Sequence, residues 1–109
     1  MRNWRRGVVG EKIIVKIDPD LEDLIPGFLH NRAKDVRAIN DLLDTQDFDA
    51  IRLLGHSMKG AGGGYGFDLI TEIGDRIEVG ALAADTAMIR EANAQLDDYL
   101  SRVEPVCES

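Results

Sequence analysis

Residues 47–66, DFDAIRLLGHSMKGAGGGYG, carry the pattern that decides the fold of this chain. Asp47 suits a helix N-cap, because its carboxylate can accept a hydrogen bond from the unpaired backbone amides of a first turn. One apolar face follows at helical spacing and is formed by Ile51, Leu54 and Met58. Five glycines then lie within residues 60–66. Each glycine inside a helix costs about 1 kcal/mol relative to alanine, so propensity alone ends this helix at Gly60.

Three further helices are indicated on either side of this segment. Asp18 caps a short helix over residues 19–25, and the chain resumes as a helix at Pro26, because proline fits a first turn. Asp85 caps the last helix, which Pro105 ends. Each of these three helices has an apolar stripe. On the helix that resumes at Pro26 it comprises Phe28, Leu29, Val36, Ile39, Leu42 and Leu43, and on the third helix it comprises Leu69 or Ile70, Ile73, Ile77, Ala81 and Ala84. On the last helix it comprises Ile89, Ala92, Leu96, Tyr99 and Val103. Four amphipathic helices with short links predict an all-α fold, an up-and-down four-helix bundle with a short N-terminal helix.

The chain divides into one domain and two flanking segments. Its 109 residues fit a single domain. The one β-like run, residues 13–17, is too short to be stable as an isolated strand. We therefore predict an extended N-terminal arm over residues 1–17 that packs onto the domain or onto a partner. The helical domain is predicted over residues 18–104, and a C-terminal tail over residues 105–109.

Composition and spacing exclude several classes of function. The chain carries 20 acidic and 13 basic side chains, a net charge of −7, and has no basic stripe for a nucleic acid. Cys107 is the one cysteine, and no HExxH or CxxC spacing occurs, so we expect no disulfide framework and no metal site. No apolar run approaches the roughly 18 residues of a membrane span. We find no export signal either and expect a cytoplasmic protein.

The glycine cluster does not form a nucleotide-binding loop. A G-x-G-x-x-G frame that starts at Gly60 places Tyr65 where its third glycine belongs. The Walker pattern needs Gly-Lys-Ser/Thr, whereas Lys59 here precedes its glycine. We therefore expect no nucleotide cofactor.

His56 has surroundings that suit a phosphoryl acceptor. At about 100° per residue, it lies roughly opposite the apolar face of its helix, with Lys59 one turn along and Gly60 and Gly63 beside it. A neutral imidazole is nucleophilic near pH 7, and lysine can hold phosphoryl oxygens as a point charge. Small neighbours allow another protein's active site to approach. The alternative is a solvated histidine followed by a glycine C-cap and loop.

The segment His56-x-x-Lys59-Gly60-x-x-Gly63-x-x-Gly66, followed by residues 69–78, resembles the signature of histidine-containing phosphotransfer (HPt) domains. The similarity extends over residues 18–103. It implies that His56 is phosphorylated, that Lys59 is a cation beside the phosphate, and that the second helix continues through the glycines. It also implies a receiver-docking region that comprises Gly60, Gly63, Leu53 and Glu78, and it places Gly74 and Glu78 on the third helix, facing the second.

The function implied by the resemblance is that of a phosphocarrier in a multistep two-component relay, which is an intermediate without its own nucleotide site and not itself an enzyme. His56 would accept the phosphoryl group from the aspartate of one receiver domain and pass it to another receiver. The partners would be the receiver domains of response regulators and a sensor histidine kinase. That kinase could be a hybrid, with a receiver domain of its own, or a kinase without one. Mg²⁺ would come from the receivers, and the carrier would be a monomer. The alternative function is a helical protein-interaction or scaffolding module without phosphotransfer.

Overall fold

A computed structural model describes residues 11–107 and shows four α-helices that form an up-and-down bundle. A 3-10 helix over Pro19–Leu24 leads into the first α-helix. The α-helices are α1 (Ile25–Asp44), α2 (Phe48–Gly64), α3 (Asp68–Leu82) and α4 (Thr86–Arg102). The predicted fold class and the short N-terminal helix are confirmed.

The predicted helix caps form as the sequence indicates. The side chain of Asp18 accepts a hydrogen bond from the amide of Asp20 at 2.9 Å. The side chains of Asp47 and Asp85 each accept one from the amide three residues later, both at 3.1 Å. Each cap pairs an amide that would otherwise lack a partner at the start of its helix, and so fixes where the helix begins.

One hydrophobic core lies between the helices. It includes the apolar faces of all four helices and the aromatic residues around the α2–α3 turn. Phe28 on α1 stacks on Tyr65 and Phe67, with ring centroids 4.4 and 5.4 Å apart. Gly66 in the same turn adopts a φ of 91°, a conformation that glycine reaches without strain. The core therefore holds the face of α2 that is opposite His56.

A two-stranded parallel sheet joins the two ends of the described chain. Strand β1 (Ile13–Ile17) pairs with β2 (Val103–Cys107), with Ile13 opposite Val103 and Ile17 opposite Cys107. The prediction that the last helix includes Val103 was wrong, because α4 ends at Arg102 and Val103 is extended. Pro105 disfavours helical backbone at Glu104, and Val103 pairs with Ile13 on β1 instead of continuing the helix. The β1 part of the predicted arm packs on the domain, and Ile17 is only 1 % exposed; residues 1–10 lie outside the described residues.

Candidate functional site

Beside His56, helices α2 and α3 pack in backbone contact at Gly55 and Gly74. A Cβ atom on Gly74 would lie 2.5 Å from the amide nitrogen of Lys59 and 2.9 Å from the carbonyl oxygen of Gly55. A Cβ on Gly55 would lie 2.7 Å from the amide nitrogen of Glu78. Any larger residue at either position would separate the helices. The two glycines thereby bring the side chains of α3 beside His56.

Helix α2 continues through the glycines to Gly64, as the family resemblance implied and against the prediction from propensity. Gly62 is buried where a Cβ would lie 2.7 Å from the amide nitrogen of Thr71 on α3. The hydroxyl of Thr71 also donates a hydrogen bond to the carbonyl oxygen of Lys59 at 3.1 Å. The tertiary contact with α3 therefore offsets the helix-propensity cost of the glycines.

His56 presents its imidazole to solvent and is held on one side only. Its side chain is 69 % exposed, and Nδ1 lies 3.0 Å from Oε2 of Glu78. An ionised carboxylate can only accept, so Nδ1 carries the hydrogen and donates it to Glu78. In the neutral imidazole the lone pair then lies on Nε2. The ring is thus oriented with its nucleophilic nitrogen away from Glu78.

Lys59 lies between two carboxylates of α3. Its Nζ is 3.0 Å from Oδ1 of Asp75 and 3.6 Å from Oε1 of Glu78. The hydrogen bond and charge of Asp75, followed by the charge of Glu78, raise the pKa of Lys59, so it remains an ammonium near neutral pH. His56, Glu78, Lys59 and Asp75 form a continuous chain of contacts, here named the histidine network.

The remaining predicted site residues surround His56 on α2. Leu53 lies one turn before it with 58 % of its surface exposed. A Cβ on Gly60 would meet no atom within 4 Å, whereas a Cβ on Gly63 would lie 3.6 Å from the hydroxyl of Thr71. Gly60 therefore leaves open surface beside the imidazole, and Gly63 lies at the edge of the α2–α3 contact.

Comparison with protein families identifies the chain. The family model for the Hpt domain matches residues 23–105, which include all four helices and the histidine network. The chain belongs to the Hpt domain family. HPt domains are phosphocarrier modules of phosphorelays and interact with receiver domains and histidine kinases in two-component signalling. Searches of curated proteins and of solved structures returned no match.

Two residues of this HPt domain were missed in the sequence. Asp75 precedes Glu78 by three residues, so both lie on one face of α3, and that spacing is the signal that could have identified it. Leu82 lies one turn after Glu78 on the same face and is 69 % exposed.

Within residues 11–107 the HPt domain has no group of three or more His, Cys, Asp or Glu side chains suited to a metal ion. In the same residues no helix has both the length and the apolar character needed to cross a membrane.

Proposed function

We propose that this HPt domain carries the phosphoryl group on Nε2 of His56, accepts it from the aspartyl phosphate of one receiver domain and donates it to the aspartate of another. The observation that carries the proposal is the contact of Nδ1 with Glu78 at 3.0 Å on a histidine whose side chain is 69 % exposed. This contact directs the lone pair of Nε2 toward the surface where a partner can approach.

The transfer is a displacement at phosphorus. The lone pair of Nε2 attacks the phosphorus of the aspartyl phosphate, the bond from phosphorus to the acyl oxygen breaks, and the receiver's carboxylate leaves. The imidazole keeps its hydrogen on Nδ1 and becomes cationic. Glu78 stabilises that charge through the bond it already makes. Donation to the second receiver reverses these changes.

Other groups of the reaction belong to the partner. The chain supplies the nucleophile, the carboxylate of Glu78 and the ammonium of Lys59, which is 44 % exposed and one turn from His56. We expect the receiver to bring Mg²⁺, which would neutralise the phosphoryl oxygens during transfer. A single chain suffices for the proposed carrier, which we expect to be a monomer, and it supplies the whole histidine network.

The proposed docking surface is the exposed face around His56. Leu53 and Leu82 are both more than half exposed and lie one turn from His56 and from Glu78, respectively. Exposed apolar side chains of this kind are typical of protein interaction sites. Gly60 lies one turn after His56 and lets a partner approach the backbone closely, because a Cβ there would meet no atom within 4 Å.

The test is phosphorylation of this chain by receiver domains. The receivers are first phosphorylated with acetyl phosphate in the presence of Mg²⁺. We expect an acid-labile, base-stable phosphate on His56, located by peptide mass spectrometry. His56→Gln should abolish labelling, whereas His30→Gln, at an exposed histidine on α1, should leave it unchanged. Undiminished labelling of His56→Gln would refute the proposal, and binding of receivers without phosphate acceptance would favour the scaffolding alternative.

A further inference from the structure

The histidine network holds two carboxylates against one ammonium. Glu78 uses Oε2 to hold His56 and Oε1 to approach Lys59 at 3.6 Å. Asp75 contacts Lys59 more closely, at 3.0 Å, and contacts no other cation of the described residues. The proposed transfer chemistry has a role for Glu78 and Lys59, but it has none for Asp75.

We propose that Asp75 is a positioning residue that draws the ammonium of Lys59 away from the phosphoryl group and thereby makes phosphorylated His56 a better donor. This inference rests on the proposed function, because it concerns the phosphorylated state of the same histidine. Asp75 acts through Lys59 and touches neither His56 nor the incoming phosphorus.

The charges in the network explain the direction of the effect. A phosphoryl group on Nε2 brings two negative charges to within one turn of Lys59. Lys59 can neutralise part of that charge only when it weakens its contact with Asp75. This competition raises the free energy of the phosphorylated form and favours transfer to the next aspartate.

The exposure of the pair sets the size of the effect. The side chains of Lys59 and Asp75 are 44 % and 49 % exposed, so solvent screens their attraction and lets them rearrange. Removal of a solvent-screened ion pair changes an equilibrium constant by about two- to fivefold. Asp75 takes no part in the backbone contact between α2 and α3, which Gly55 and Gly74 make. Asp75→Asn keeps the shape of the side chain and removes its charge.

Phosphoramidate allows a test without any receiver. Its P–N bond breaks, ammonia leaves, and a bond forms between phosphorus and a histidine nitrogen. His30 on α1 is exposed, so we expect it to react in the same molecule and use it as an internal reference. The exchange is brought to equilibrium at fixed concentrations of phosphoramidate and ammonium. Peptide mass spectrometry then gives the ratio of phosphorylated to free histidine at each site. The quantity compared between variants is the ratio at His56 divided by the ratio at His30.

We expect Asp75→Asn to raise this quotient about two- to fivefold. Glu72→Gln, which removes one negative charge from the same helix, should leave it unchanged. In a Lys59→Met background, Asp75→Asn should lose most of its effect. An unchanged quotient in Asp75→Asn, an equal rise in Glu72→Gln, or a full effect without Lys59 would each overturn the inference. The proposed function fails on a different result, namely the absence of transfer from charged receivers to His56.

Discussion

Replacement of Gly74 by alanine tests the backbone contact between α2 and α3. The new Cβ would lie 2.5 Å from the amide nitrogen of Lys59 and 2.9 Å from the carbonyl oxygen of Gly55, whereas ordinary Cβ contacts begin at 3.4 Å. Both obstacles are backbone atoms of α2, so no side chain can rotate away. The two helices must therefore separate by most of an ångström.

The magnitude follows from two opposing terms. Overpacking of a close contact costs about 1–3 kcal/mol, and a backbone obstacle places this site near the upper end. Alanine regains about 1 kcal/mol of helix propensity. The net loss is therefore about 2 kcal/mol, which lowers the Tm of a domain of this size by about 8 °C.

Thermal unfolding followed by circular dichroism provides the assay, with Gly60→Ala as the matched control. Gly60 also lies within a helix, but its Cβ would meet nothing within 4 Å. The control should therefore gain about 0.5–1 kcal/mol and raise the Tm by about 2–4 °C. A Gly74→Ala variant that melts at or above the wild-type temperature would refute this account of helix packing.

Four further outcomes concern the site itself. His56→Gln should change the free energy of unfolding by less than about 0.5 kcal/mol, since the side chain is 69 % exposed, and should abolish phosphoryl acceptance in the receiver assay. Gly60→Glu should keep or raise the Tm, yet it should slow phosphoryl transfer at least tenfold, because it adds bulk and negative charge at the open surface. A tenfold loss corresponds to about 1.4 kcal/mol in the activation barrier. A transfer time course equal to that of the wild type would contradict receiver docking there. Glu78→Leu should slow transfer by about tenfold through loss of the Nδ1 contact, and Glu78→Gln, which keeps an acceptor, should slow it less; equal rates in the two variants would argue against orientation of the ring by Glu78. ATP and Mg²⁺ without a kinase should leave the chain unlabelled, and any labelling would reveal a nucleotide site that the sequence does not show.

Local signals predicted most of the fold. Asp18, Asp47 and Asp85 each cap the helix that they were expected to cap, because an N-cap bond spans only two or three residues. The exposure of His56 followed from the apolar face of α2 alone. These features depend on short stretches of chain, so the amino-acid sequence contains the information directly.

Features that depend on the register between distant segments could not be predicted. Strand β2 exists because Ile13–Ile17 lies beside it, and nothing within residues 103–107 indicates that partner. Helix propensity alone places the end of α2 too early, because the cost of its glycines is local, whereas the compensating contact of Gly62 with Thr71 on α3 is not. The contact of Asp75 with Lys59 also joins two helices, so the sequence could place Asp75 on the face of Glu78 but could not show its partner.

The parallel pairing of β1 and β2 gives the domain a particular response to tension. The amino end of β1 and the carboxyl end of β2 lie at opposite ends of the sheet, with Ile13 opposite Val103 and Ile17 opposite Cys107. A force that pulls residues 13 and 107 apart therefore shears the interstrand hydrogen bonds all together. An antiparallel hairpin pulled at its free ends would open one bond at a time. In an optical-trap experiment with handles at these two residues, the sheet should act as a mechanical clamp that yields before any helix of the bundle extends.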